Sequence, residues 1–399
     1  MDEKTKHIFI KDFGCRINQY DSRVIGNNLN KMGFVLTGDI RSADLVIVNT
    51  CGVTHTAEKK CVKYIRRIQK KYPEKEITAV GCSVRDEHSQ VFDEAAKILK
   101  HFKYLDHPKF GINEFSGHNR AFVKVQQGCN GLCSYCNVRK LKRPYFVKNP
   151  EQVKSEIDLL AKKYFEIVLC ATNILEYKDI LKLIDTVKNI KRNFRWRFSS
   201  INPLCINKNM IDKLDSDEKF CRHFHIPVQS GSDEILRKMR RGYKLNDVER
   251  AVEEIKTGLS NCSVSFDIIV GFPGEEGKDF QKTIDLLKKY QPVRVHVFRY
   301  SDRPGTPAFR YSSKVPERIK KERMKIVKST AEKTAKNNFE YSVNKIKNVV
   351  LEKKFQGYTE DYIPVKIVSC EKNIVKQTGN LIKVKVTGYN NKFMEGIVV

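Results

Sequence analysis

The chain has 399 residues, too many for one ordinary domain, and 40% of them are hydrophobic, which is enough for packed cores, so disorder is not the default and two or three domains are expected. Lysine and arginine number 75 against 47 aspartates and glutamates, and the net charge of +28 points to a polyanionic partner, although a lysine-rich solvated surface would give the same figure. No run approaches the ~18 apolar residues that span a bilayer. The charged stretch Met1–His7 has no apolar signal segment, and 12 cysteines without one suit a reducing compartment, read as the cytoplasm.

Residues 7–14 read as a short strand ending at Gly14, and Cys15 follows at once. A helix is expected over Asn18–Met32 with Gly33 as its C-cap, then a continuous apolar strand Leu45–Val48 ending at Asn49-Thr50-Cys51. A basic helix Thr54–Tyr72 stops before Pro73, and Ile77–Gly81 is a third strand, followed by Cys82. The order β-α-β-α-β implies a parallel sheet, whose ligands sit outside the carboxyl ends of the strands. Cys15, Cys51 and Cys82 stand just past three such ends, so the fold is expected to gather thiols that lie 36 and 31 residues apart. The competing reading is three buried small hydrophobes. Cys61, beside Val62 and Ile65, is assigned to packing. The helix 54–72 also carries Lys59, Lys60, Lys63, Arg66, Arg67, Lys70 and Lys71, more than a solvated face needs, and is a candidate polyanion contact. A helix Gln90–Phe102 and a polar linker His107–Asn119 follow.

Six strand candidates lie between 121 and 300: Ala121–Gln127, Ile167–Ala171, Arg195–Ile201, His223–Val228, Val264–Val270 and Val293–Tyr300, separated by helical stretches. Six β-α units make a partial (β/α)6 barrel, with chemistry expected at its C-terminal rim. The first strand delivers Cys129-Asn130-Gly131-Leu132-Cys133-Ser134-Tyr135-Cys136 to that rim. Structural zinc wants a closed tetrahedron, and no fourth Cys or His lies within 25 residues downstream. An iron–sulfur cluster on three thiolates leaves one iron open to a cofactor or substrate. Zinc is the alternative. Other strand ends carry polar turns: Asn173, Ser199 and Ser200, His225–Ser232, Asp267, and Gly271–Glu275.

Pro304–Pro307 breaks the chain, and Pro316 opens a basic helix to about Lys336. Short alternating runs from Ile346 (Ile346–Glu352, Tyr362–Val368, Leu381–Val386, Gly396–Val399) then read as a small antiparallel barrel of about five strands, suited to gripping RNA or to packing alone. The fold class is therefore α/β with a C-terminal all-β module, divided at 1–106, 115–338 and 342–399.

Cys-x3-Cys-x2-Cys with Tyr135 before the last thiol is similar to the signature of radical S-adenosylmethionine (SAM) enzymes. Nearly end to end, the chain resembles the methylthiotransferases, on Gly14–Ser22, Val48–Thr54, Val80–Cys82, Gly128–Cys136, His225–Ser232, Asp267–Glu275 and Tyr300–Ala308. That resemblance implies a cluster domain, a radical SAM barrel and a TRAM domain. It implies an auxiliary [4Fe-4S] cluster on Cys15, Cys51 and Cys82, a second on Cys129, Cys133 and Cys136, and cofactor contacts from Tyr135, Asn173, Ser200, His225, Gln229, Asp267 and Gly271. It also implies two SAM per turnover: one methylates the sulfur to be inserted, the other yields the radical that removes hydrogen from C2 of adenine. Asn18-Gln19-Tyr20, Val53-Thr54 and Gly357–Glu360 look most like the branch that acts on N6-threonylcarbamoyladenosine at position 37 of tRNA. The implied partners are a tRNA anticodon stem-loop and an electron donor such as flavodoxin or ferredoxin, with no membrane and a monomeric chain. The isopentenyladenosine branch, the branch modifying a ribosomal-protein aspartate, and a non-catalytic iron–sulfur RNA-binding protein stay open. Two segments depart from the family pattern, Asn137–Tyr145 after the last cysteine and Cys170-Ala171-Thr172-Asn173 at the second strand end.

Overall fold

The structure, a computed structural model, describes residues 6–86, 89, 91, 97–98, 111–112, 114–115, 118–353, 355–369 and 379–399. The first unit runs β1 (His7–Asp12), α1 (Arg16–Lys31), β2 (Val35–Leu36), β3 (Leu45–Thr50), α2 (His55–Lys71), β4 (Glu76–Gly81) and β5 (Lys97–Ile98). All pairings are parallel, in the order β2-β1-β3-β4-β5. The apolar run of β3 is buried on both faces, as a central parallel strand must be. Thr54 caps α2 by accepting from the Ala57 amide at 3.2 Å. The helix expected over Gln90–Phe102 is contradicted at Lys97–Ile98, which pair with Thr78 and Ala79 and so extend the sheet; the rest of that stretch and most of the expected linker lie outside the described residues.

The second unit begins with β6 (Ala121–Gln127), α3 (Val138–Leu141), β7 (Phe146–Val147) and α4 (Pro150–Leu160). It continues through β8 (Glu166–Ala171), α5 (Ile180–Lys188), β9 (Arg195–Phe198), α6 (Lys208–Asp215), β10 (His223–Gln229), α7 (Asp233–Lys238), α8 (Leu245–Gly258), β11 (Ser263–Val270), α9 (Gly277–Tyr290) and β12 (Arg294–Arg299). The six expected strands are present and parallel, in two ladders, β6-β8-β9 and β10-β11-β12, with β7 added antiparallel to β6. The ladders meet where Trp196 bridges Phe220 and the Ile201 amide donates to His225 at 2.8 Å. Trp196, Phe198 and the apolar helix faces make one large core outside the strands, and the inward residues are polar: Lys124, Arg195, Arg197, His223 and Ser265.

α10 (Glu317–Ser342) runs past the expected end at Lys336, because Ala335 and Phe339 still bury against the C-terminal barrel. That barrel is closed, in the order β13 (Ile346–Lys353), β14 (Gln356–Thr359), β15 (Pro364–Ser369), β17 (Met394–Val398) and β16 (Leu381–Tyr389). The expectation of an antiparallel barrel holds for four pairings and fails for one. β15 and β17 run parallel, because β16 crosses over before the chain returns beside β15.

Candidate active site

Two sets of three thiols form, one in each α/β unit. Cys15 follows β1, Cys51 follows β3 and Cys82 follows β4, so the parallel sheet brings all three to one edge. Gly14, at φ +94°, makes the approach possible: a Cβ there would stand 2.7 Å from both Cβ and Sγ of Cys51. Each thiol lies within electrostatic reach of the others; burial, then the neighbouring Cys82, pushes Cys51 up to about 12. Cys82 is buried, and Cys15 is exposed at the open side.

The second set sits on the loop after β6. Each of its sulfurs receives one N–H: Cys129 from the Gly131 amide at 3.3 Å, Cys133 from the Arg241 guanidinium at 3.3 Å, and Cys136 from the Val138 amide at 3.4 Å. Such donors favour the anionic, ligating form of a thiol. Burial acts the other way and pushes Cys136 up to about 12, so a bound metal is what would draw the proton off. The donor set thus fits a metal cluster. The loop is anchored by Ser134, whose amide donates to Met239 at 2.9 Å and whose hydroxyl donates to the Lys238 carbonyl at 2.7 Å. The half-buried Tyr135 ring stands edge-on to Phe272.

The segments that follow Cys82 and Cys136 meet at one seam. Arg85, three residues after Cys82, donates to the carbonyls of Leu141 and Arg143, and Asn137, next to Cys136, donates to Asp86 at 3.1 Å. A cavity of about 400 Å³ opens there, lined by Cys133, Cys136, Arg85, Asp86, Leu132 and Pro304 among others. A larger cavity of about 540 Å³ between α1 and α4 holds no thiol and is remote from this chemistry. Arg303 locks the seam with a 2.9 Å ion pair to Glu58 of α2, both buried.

Of the other expected residues, His225 and Asp267 are joined, Nε2 to Oδ2 at 3.0 Å, and His296 takes the second oxygen of Asp267 at 3.3 Å. Burial opposes the Asp267 charge, but the two imidazoles outweigh it and hold the carboxyl well below its usual range. Gln229 lies where the β10 register shifts and has φ +73°. Asn173 donates from its amide to Gln126 at 3.0 Å and from its side chain to Glu176, which also holds Asn130 of the cysteine loop. Ser200 is half-buried just past β9. Gly271 behaves differently: its amide is taken by Glu275 at 2.8 Å, and a Cβ on it would meet Lys320 at 2.3 Å, so turn closure and packing account for the glycine. Cys61, Cys170 and Cys221 are buried in packed surroundings, and Cys370 lies outside the described residues.

Sequence reasoning missed Arg241, His296 and Lys142. Arg241 arrives from a distant loop and His296 from a distant strand, while Lys142, six residues after Cys136, reaches the other thiol set, and none has a local spacing to mark it. His296 alone had a signal, standing opposite Asp267 once the two strands are aligned.

Two family descriptions match the chain: the Radical SAM superfamily over residues 123–287 and the uncharacterized protein family UPF0004 over residues 7–101. The threonylcarbamoyladenosine tRNA methylthiotransferase MtaB of Thermotoga maritima is 33% identical over 393 residues, 90% of each chain. A tRNA-2-methylthio-N(6)-dimethylallyladenosine synthase of Natranaerobius thermophilus is 32% identical over 87% of this chain and 86% of the relative. In fold, the chain is similar to the radical SAM methyltransferase TsrM of Kitasatospora setae, with a TM-score of 0.55 and 14% identity, covering 76% of this chain and 75% of that one. The barrel and its three-thiol loop define a radical SAM enzyme. Within that class the chain belongs to the methylthiotransferase family, whose members use SAM and two [4Fe-4S] clusters.

Proposed function

We propose that this chain is a tRNA methylthiotransferase that converts N6-threonylcarbamoyladenosine at position 37 of the anticodon stem-loop to its 2-methylthio derivative. The observation that carries the reading is the shared seam: the segments that follow two three-thiol sets, each set sufficient for a cluster with one open iron, meet across the Asn137–Asp86 and Arg85–Leu141 contacts. Cys15, Cys51 and Cys82 would hold the auxiliary cluster, and Cys129, Cys133 and Cys136 the radical SAM cluster. Bound there, these groups and SAM supply the sulfur, the methyl group and radical chemistry at an adenine C2–H that side-chain acids and bases cannot activate. The protein's own part is placement. Arg241 and two backbone amides hold the second thiol set, and Asn173, His225, Gln229 and Asp267 offer polar contacts to SAM at the strand ends. The base must leave its stack, a cost on the order of a few kcal/mol, which basic surfaces gripping the backbone offset.

The branch rests on Asn18-Gln19-Tyr20 and on the 33% identity to a threonylcarbamoyladenosine enzyme. The 32% identity to a relative named for dimethylallyladenosine favours that nucleoside as a second reading. We assign residues 1–106, 115–338 and 342–399 to the cluster, radical SAM and TRAM-like units, and place the protein in the cytoplasm as a monomer served by flavodoxin or ferredoxin. The test is mass spectrometry of tRNA nucleosides from a host lacking its own methylthiotransferases, with and without this chain. A methylthio mass gain on threonylcarbamoyladenosine is expected. A gain on isopentenyladenosine would change the branch, and no gain with both clusters loaded would overturn the tRNA reading.

A further inference from the structure

Lys142 is a charged residue with 5% exposure. Its ammonium donates to Oδ1 of Asn18, the same oxygen that accepts from Cys82 Sγ at 3.6 Å, so the amine stands beside the first thiol set. The nearest carboxylate, Asp21, lies 3.6 Å away and is already engaged: Lys124 holds its other oxygen and also donates to Gln127 at 2.7 Å. Glu156, the next buried carboxylate, is taken by Lys148 and by the Tyr20 hydroxyl. Two buried ammonium groups thus share one carboxylate, with Arg85 adding positive charge from the turn after Cys82. A buried cation needs a counter-charge, and the remaining candidates facing Lys142 are the sulfurs of Cys82 and Cys15. As neutral thiols they do not supply it; as cluster-bound thiolates they do.

We propose that Lys142 is a positioning residue, the built-in counter-cation of an iron–sulfur cluster on Cys15, Cys51 and Cys82. This rests on the ligand assignment under Proposed function. Net charge and hydrogen bonding around a cluster set its reduction potential, so the ammonium raises the potential of this cluster and favours its assembly. Lys142 lies only six residues after Cys136, on the segment that leaves the second thiol set through α3. The same short strap therefore couples the two centres mechanically: the loop that carries one set of ligands carries the counter-ion of the other.

The experiment uses the full chain carrying C129A, C133A and C136A, reconstituted with iron and sulfide, so that only the auxiliary cluster reports in an EPR-monitored redox titration. Lys142→Met in that background is expected to shift the midpoint to lower potential, and Lys142→Arg to keep it near the parent. Loss of iron in Lys142→Met with retention in Lys142→Arg also supports the proposal, since the charge is then needed for assembly. Equal midpoints for Lys142→Met and the parent overturn it, as does loss of iron in both variants, which would make Lys142 a packing residue. A parent that binds no cluster would sink the ligand assignment itself, an outcome visible before any Lys142 variant is made.

Discussion

Gly14 shows how closely the first thiol set is built. Its φ of +94° is a region that other residues enter at a cost, and the missing Cβ leaves the space that Cys51 occupies at 2.7 Å. Gly81, before Cys82, repeats the device at φ +96°, with a Cβ that would meet Asn49 at 2.2 Å and the Thr50 carbonyl at 2.6 Å. Gly14→Ala is therefore expected to displace Cys51 and halve the iron bound per chain, leaving the second cluster, as iron analysis and EPR would show; full iron loading in that variant would contradict the close approach. Cys51→Ala goes further in function. It should abolish methylthio product while leaving uncoupled SAM cleavage, because Cys129, Cys133 and Cys136 lie on a separate loop with its own anchors, Arg241 and Ser134. The grouping of six cysteines into two sets was legible in the sequence, three by tight local spacing and three by their shared position after strands. Lys142 and Arg241 were not, since Lys142 serves thiols of another unit and Arg241 lies 108 residues from the Cys133 it donates to, and neither contact leaves a periodicity in the chain.

Among the elements, α2 links chemistry to a surface. It starts at His55, four residues after Cys51, and its outer face exposes Lys59, Lys60, Lys63, Arg66, Arg67, Lys70 and Lys71. Glu58, the acidic residue of its first turn, is turned inward to Arg303 and does not offset that charge. If this face follows an RNA backbone, converting Lys59, Lys63, Arg67 and Lys70 to glutamine should weaken tRNA binding and reduce the slope of log affinity against log salt by up to about 3. SAM cleavage without RNA should not change. An unaltered slope in fluorescence anisotropy would assign the face to solvation. The sequence was a good guide here because periodicity and capping are local, as Thr54 at the start of α2 shows. It failed where partners are remote: Lys97–Ile98 became an edge strand by pairing with β4, α10 outran its expected end by gaining the C-terminal barrel as a surface, and β17 turned parallel to β15 through a crossover no short pattern records.

At the scale of the whole molecule, one residue of the C-terminal barrel joins all three units. Tyr362 lies under the Arg197 guanidinium, 4.3 Å from its ring centre, while Arg16 of α1 donates to its hydroxyl at 3.2 Å and Arg120 lies 5.6 Å over the ring. Beside it, Glu166 of β8 is ion-paired to Arg195 at 2.6 Å and to Arg197 at 3.0 Å, and Arg195 reaches the carbonyls of Asn348 and Tyr358 in the barrel. Burial pushes the Tyr362 phenol up, but Arg120, Arg16 and Arg197 together outweigh it and bring the pKa down to about 8. A phenol with a folded pKa of about 8 and an unfolded value of about 10 binds fewer protons folded than unfolded across that window. Stability therefore rises from about pH 8 to about 10, by at most about 3 kcal/mol, and this contribution is lost as pH falls back through 8. Tyr362→Phe keeps the ring under Arg197 and removes the proton. The melting temperature of the unaltered chain, measured relative to that variant, should climb between about pH 8 and 10; parallel curves would mean that the guanidinium cluster is balanced by other groups. Because Arg16 directly follows Cys15, the same contact ties the C-terminal barrel to the first thiol set, so Tyr362→Phe should also loosen Cys15, seen as faster alkylation of that thiol in the apo chain.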